Sequence, residues 1–422
     1  MRYISAVHEA PLVVPTYAVI PFALLLLFIA AFPLAMPHVW ESNRNKGIIA
    51  ALVSLPIAAW LILKSPAALG HTALEYVSFL CLLGSLFVVA GGIHIAGDLK
   101  ATPKTNVVLL AIGAILASFV GTTGASMVMI RLVLRTNSER KNTSHLPFFF
   151  ILLVSNCGGL LTPLGDPPLF LGYLRGVPFL WTLRLFPIWI VAVAYLLTFF
   201  YVIDRRAYKS EPRAALVVDE IAQTPIRVLG KVNILLLLGI VAAVFLDMPY
   251  REIAMVALAI LSLRFGSPAA REKNEFSFGP IVEVAILFAG IFVTMVPALE
   301  LLKEHGKSLG LVAPWQYFLT TGALSSVLDN APTYLTFLSA AQGLGLPAEI
   351  VGVPAVHLLA ISAGAVLMGA NTYIGNGPNF MVKAIADSAG YKTYDFMRYA
   401  ARALLVLGPV YAVIVAYLIL AG

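Results

Sequence analysis

The sequence predicts an all-α polytopic membrane protein made of two inverted repeats of five transmembrane helices, each repeat with a re-entrant hairpin and a broken helix. Three observations predict it. Hydrophobic residues make up 60% of the 422 residues and charged residues 12%, against roughly 45–50% and 25% in soluble domains, and the mean hydropathy is +0.91. Apolar runs of spanning length follow one another with no interval long enough for a soluble domain. A motif also recurs: Thr162-x-x-Gly165-x-x-Pro168 returns as Thr372-x-x-Gly375-x-x-Pro378, 210 residues later.

Runs of about 17–25 apolar residues are long enough to cross a bilayer. In the first repeat, 1–203, they lie at 17–36, 47–63, 73–96, an interrupted run at 147–174, and 181–203. A charged linker follows at 204–231. The second repeat, 232–422, has 232–247, 250–265, 280–299, an interrupted run at 352–385, and 400–420. The 247–250 turn is the weakest of these boundaries. Each repeat also holds an odd segment, 106–134 and 313–341, with two apolar arms around a small or polar tip. The tips read Gly121-Thr-Thr-Gly-Ala-Ser126 and Asp329-Asn-Ala-Pro-Thr333. Arms of about 10–14 residues fall short of the roughly 20 needed to span, which fits a hairpin that enters and leaves on one side.

Charge placement tests that topology. With the N- and C-termini outside and the 204–231 linker cytoplasmic, 20 of the 28 Lys and Arg residues fall on the cytoplasmic side and seven outside. That is the expected positive-inside bias. If the first hairpin crossed the membrane, the six basic residues from Arg205 to Lys231 would move outside and the bias would largely vanish. The net charge of +7 is therefore an orientation signal, with the lipid bilayer as partner and no nucleic acid. The N-terminus lacks a basic n-region and a small-residue cleavage site, so the first span is expected to be retained. Cys81 and Cys157 sit inside apolar runs without metal-type spacing and read as packing residues. Trp40, Trp181 and Trp315 lie near span ends, where interface anchors are expected.

The two interrupted runs carry the chemistry. Ser155–Leu171 holds two adjacent glycines and the prolines Pro163, Pro167 and Pro168, which no regular helix continues. Open backbone at membrane depth is tolerated only where it is buried in protein or lines a wet cavity. A single kinked helix packed on small residues is the plainer reading of one such stretch. Its recurrence inside Gly369–Ala384 argues instead for paired breaks of the kind that form transport sites. Half-helix N-termini there offer N–H groups to anions, and unwound carbonyls offer oxygen to cations.

A carboxylate near a span centre costs at least about 2.5–3.5 kcal/mol and is a functional candidate by default. Asp166 lies in the first break and Asp329 at the second hairpin tip. The expected cation- and proton-binding set is Asp166, Asp329, Asn330, Asn156, Asn371 and Asn376, with the two aspartates as sodium ligands. Thr122, Thr123, Ser126, Ser155, Thr162, Gly165, Thr333, Thr372, Gly375 and Asn379 are the expected substrate-binding or supporting residues. Hard oxygen ligands suit small cations, and a carboxylate in a low dielectric can exchange a proton for a cation near neutral pH. For either aspartate the alternative is a helix cap. His94 and His357 each stand alone in an apolar run and read as hydrogen-bonded packing residues. Lys383 is expected to snorkel to the cytoplasm or else to balance a site carboxylate.

At these motifs the chain resembles the ion-transporter superfamily, which includes NhaD-type sodium/proton antiporters, arsenite efflux proteins, and citrate and dicarboxylate carriers. GGLLTPLGDPPLFL (158–171) and ANTYIGNGPNFMV (370–382) look like its Gly/Thr/Pro-rich helix breaks, and SSVLDNAPTYLTFL (325–338) resembles the Asp-Asn-x-Pro tip of the antiporter and arsenite branches. The dicarboxylate branch marks its tips with Ser-Asn-Thr, which neither tip here carries. The resemblance implies an elevator-like alternation, a homodimer and a bacterial inner (plasma) membrane location. The leading expectation is a sodium (or lithium)/proton antiporter with no cofactor beyond its transported sodium, lithium and protons. The alternative is a cation-coupled carrier of citrate or another carboxylate. A membrane enzyme is not expected: the chain lacks His-Glu-x-x-His, an Asp-rich diphosphate motif and a Ser/His pair at matching depths.

Overall fold

The computed structural model describes residues 13–421; the missing signal-peptide features and Arg2, one of the seven basic residues expected outside, lie outside them. Among the described residues the fold is all-α apart from one two-stranded ribbon. Helices α1 (Ile20–Ala35), α2 (Pro37–Trp40), α3 (Asn43–Lys64) and α4 (Pro66–Gly91) come first. Strand β1 (His94–Asp98) follows, then α5 (Pro103–Val120), α6 (Thr122–Thr136), α7 (His145–Leu153), α8 (Pro167–Leu174) and α9 (Phe186–Lys209). The connecting region holds α10 (Arg213–Ala222) and β2 (Thr224–Leu229). The second half runs through α11 (Lys231–Ala243), α12 (Tyr250–Phe265), α13 (Pro268–Lys273), α14 (Gly279–His305), α15 (Pro314–Ser325), α16 (Asn330–Gln342), α17 (Ala355–Met368), α18 (Gly377–Ser388) and α19 (Phe396–Ala421).

Seven helical segments among the described residues are long and apolar enough to cross a membrane. Leu52, Leu63, Leu235, Ile253, Leu405 and Leu420 are all more than half exposed. So much exposed aliphatic surface fits lipid rather than water as solvent. The centre of the molecule is held by the first arms of the two broken runs: every residue of α7 is buried, and α17 is buried from His357 onward.

Packing sorts the helices into two groups. In one, α14 lies along α3 and α4, and α12 lies against α4 and α11. In the other, α15 packs on α17, α16 on α8, α18 on α6, and α19 on α9. The groups touch where α14 meets α16 and α4 meets α6.

Four expectations need correction. The span placed at 73–96 ends at Gly91, and His94–Asp98 pairs antiparallel with Thr224–Leu229 from the linker. Arg135 secures this ribbon by donating to the carbonyls of Ile95 at 2.6 Å and Gly97 at 2.7 Å. Neither strand is visible alone, because each needs a partner about 130 residues away. Second, α5 has 18 residues, since Thr102 caps it through the Thr105 N–H and Pro103 starts it. At 1.5 Å per residue it is about 27 Å long. The short-arm argument therefore applies to α15 and α16, with 12 and 13 residues, and not to α5. Third, α11 is only 13 residues long, so the run at 232–247 is a short helix followed by a turn. Fourth, Trp40 and Trp181 are buried rather than at an interface; the Trp40 ring meets Phe32 edge-on.

The lone histidines are partnered as expected. His94 Nδ1 lies 2.8 Å from Asn274 Oδ1, and His357 Nε2 lies 2.8 Å from the Val312 carbonyl. Lys383 pairs with Asp387 at 2.5 Å. Both cysteines are free, with Cys157 buried.

Candidate functional site

Both breaks have the same local construction. After α7 the chain passes through a 3-10 turn, Cys157–Leu161, into extended backbone at Thr162 and Asp166. After α17 a shorter 3-10 turn, Gly369–Asn371, leads into extended backbone at Thr372 and Asn376. Thr162 donates its hydroxyl to the Ser118 carbonyl at the end of α5. Thr372 likewise donates to the Ser326 carbonyl after α15, at 2.5 Å. The reciprocal bonds also match: Ser118 donates to the Gly158 carbonyl at 2.5 Å, and Ser326 to the Met368 carbonyl at 3.1 Å. Each hairpin tip is thus pinned to its own break.

Glycine is required at the tightest crossing of each break. A Cβ on Gly165 would lie 2.1 Å from the Gly159 carbonyl oxygen, and one on Gly375 would lie 2.6 Å from those of Gly369 and Ser325. Ordinary contact needs more than 3 Å, so any side chain there would force the backbone apart.

Asp166 is the N-cap residue of α8, yet its carboxylate makes no cap bond. Pro167 and Pro168 follow it and have no N–H to offer. The carboxylate is instead free to face other elements. It accepts from Thr122 Oγ1 at 2.9 Å, from Asn376 Nδ2 at 3.0 Å and from Asn330 Nδ2 at 2.5 Å. Thr122 and Asn330 are the first residues of α6 and α16, and Asn376 is the N-cap of α18. Four helix N-termini therefore converge on one carboxylate that is 1% exposed. Every donor in this set is neutral. An ionised carboxylate so placed is helped by the four positive dipole ends and three hydrogen bonds, but among the described residues no cationic side chain pairs with it.

Beyond it lies an amide chain. Asn376 Nδ2 also reaches the Ser155 carbonyl at 3.1 Å and Asn156 Oδ1 at 3.3 Å. Asn156 donates to Asn379 Oδ1 at 2.7 Å, and Asn379 donates to the carbonyls of Gly369 and Thr372. Ser126 and Ser155 share a 2.8 Å hydroxyl contact. Asn330 Oδ1 is buried without a hydrogen-bond partner among the described residues, an oxygen available to a cation or a water.

The remaining expected residues separate from this cluster. Asp329 caps α16 through the Ala331 N–H at 3.0 Å, and Thr333 donates to the Asp329 carbonyl. No hydrogen bond joins Asp329 to Asp166 among the described residues; the neighbouring Asn330 makes that contact instead. Asn371 bonds Ser326 Oγ and accepts from Tyr411, which ties the second break to α19. Ser118 and Ser326 were not singled out from the sequence. The signal was there: each lies three residues before its tip, at Ser118-x-x-Gly121 and Ser326-x-x-Asp329.

A cavity of about 70 Å³ opens beside the carboxylate, lined by Thr122, Thr123, Gly165 and Asp166 on one side and by Phe79, Leu82 and Ile281 on the other. It lies on the seam between α4, α14 and the first hairpin. Its size suits a few waters or a small ion. Among the described residues no three His, Cys, Asp or Glu side chains cluster as a metal cage.

Residues 12–420 match the model of the family described as "Putative citrate transport". The chain belongs to that family. Its place in this transport family and its run of apolar helices make it an integral membrane protein of the ion-transporter and citrate-carrier type. None of the curated proteins compared with the chain matches it.

Proposed function

We propose that the chain is a secondary transporter of citrate or a related carboxylate, coupled to a cation or proton held at Asp166. The observation that carries this reading is the convergence of four helix N-termini and three neutral donors on one buried acid. Helix N-termini and amides are suited to a carboxylate cargo. Asp166, with no Lys or Arg beside it, needs a proton or a cation whenever the site closes. The buried Asn330 Oδ1 supplies a second cation ligand. The family match supports the citrate class.

Sodium (or lithium)/proton exchange is the second reading. It is favoured by the absence, among the described residues, of any basic side chain from the hydrogen-bond partners of Asp166, which leaves the acids without a basic partner there. In both readings the repeats are inverted, the linker is cytoplasmic, and the hairpins and broken helices move as a unit against α3, α4, α12 and α14. The test is flux in proteoliposomes. Radiolabelled citrate uptake with and without sodium or proton gradients is expected to depend on the gradient. Sodium-driven proton movement that needs no carboxylate, with no citrate uptake, would replace the first reading by the second.

A further inference from the structure

Helix α10 is built inside out. Ala214, Val217, Val218 and Ile221 recur at i, i+3, i+4 and i+7 and so share one face. All four are exposed, Val217 and Val218 at 54% and Ile221 at 79%. One carboxylate, that of Asp219, faces the protein instead, while the Glu220 side chain stays 65% exposed at the surface. Asp219 is 2% exposed and accepts from the Ala101 N–H at 3.1 and 3.2 Å, while Glu220 pairs with Lys100 at 2.9 Å. A helix in water would place these faces the other way round.

The surroundings identify what covers the apolar face. Phe199 and Val202 lie exposed on one face of α9, and Arg206 continues that face at the helix end. Exposed Arg205, Arg206, Lys209 and Arg213 fill the corner between α9 and α10, and none of them enters an ion pair among the described residues. Four unpaired cations at the end of a lipid-facing stripe lie where phosphate headgroups would be. An adjoining apolar helix face fits the acyl boundary just below them.

We propose that α10 is an interfacial helix, seated on the bilayer with Val217, Val218 and Ile221 in the acyl boundary and Arg205, Arg206, Lys209 and Arg213 on anionic headgroups. Asp219 and Glu220 hold residues 100 and 101, just before α5, and β2 continues from α10 into the ribbon with β1. The seated helix therefore anchors the segment that joins the α4 group to the first hairpin. It gives that hairpin a fixed root at the membrane surface.

The test uses the full chain in vesicles of phosphatidylcholine with phosphatidylglycerol. Nitroxide labels are attached in a C81S background at V217C and I221C, with F199C as the lipid-facing reference. Collision with oxygen rather than an aqueous nickel chelate is expected at 217 and 221, with a ratio close to that at 199. Free collision with the chelate would overturn the proposal, as would shielding from both reagents, which would mean that another protein surface covers the helix. Substituting R205Q, R206Q, K209Q and R213Q together is expected to shift the I221C ratio severalfold toward the chelate. An unchanged ratio would overturn the headgroup assignment.

Discussion

Asn330 donates to the Asp166 carboxylate at 2.5 Å across 164 residues of chain. It does so from the tip of the second hairpin to the break of the first half. That bond, with the one from Asn376, means that the acid of one half is held largely by amides of the other. Hydrogen bonds to a charged group contribute about 1.5–3 kcal/mol. N330A and N376A are each expected to reduce gradient-driven transport by roughly 10- to 100-fold, read as initial rates in proteoliposomes. N376A should be the worse of the two, because its amide also serves the Ser155 carbonyl and Asn156.

Asp329 has two roles that substitution can separate. Its cap bond to the Ala331 N–H is one that asparagine also makes well, whereas alanine at an N-cap costs about 1 kcal/mol. D329N is expected to melt like the parent protein in detergent, and D329A lower. If its charge serves the site only through space, D329N should cut transport by about tenfold and not abolish it, an electrostatic effect of about 1.4 kcal/mol.

The glycine crossings predict a steep contrast in stability. G165A and G375A place a Cβ within 2.1 and 2.6 Å of backbone oxygens and are expected to lower folded yield and melting temperature sharply. G377A, with nothing within 4 Å of its added carbon, should leave both unchanged. Size-exclusion profiles and thermal melts of the three variants check this.

Much of the site was legible in the sequence because its breaks are written in proline and glycine. Pro163, Pro167 and Pro168 announced that no regular helix runs through Ser155–Leu171, and the second copy of the motif pointed to a paired site. The resemblance of the second tip, SSVLDNAPTYLTFL, to the Asp-Asn-x-Pro tip of known transporters drew attention to Asn330. Other features were hidden, because they depend on partners far apart in sequence. The Ser-x-x-tip spacing marks Ser118 and Ser326, but nothing local pairs their carbonyls with the Thr162 and Thr372 hydroxyls or turns Asn371 toward α19 rather than Asp166. The β1–β2 ribbon was hidden for the same reason. Asp329 was read with Asp166 as a sodium ligand, with a helix cap as the alternative, and its side chain makes that cap bond to the Ala331 N–H.

The central claim is that Asp166 carries the coupling proton or cation. D166N keeps the shape of the side chain and removes its charge, so its most direct test is flux through the reconstituted D166N protein beside the parent. Citrate uptake and sodium-dependent proton movement are both expected to fall by at least about 100-fold, a loss of about 2.7 kcal/mol or more, while the protein stays monodisperse and its melting temperature does not fall. Gradient-driven flux at the parental rate in D166N would contradict it.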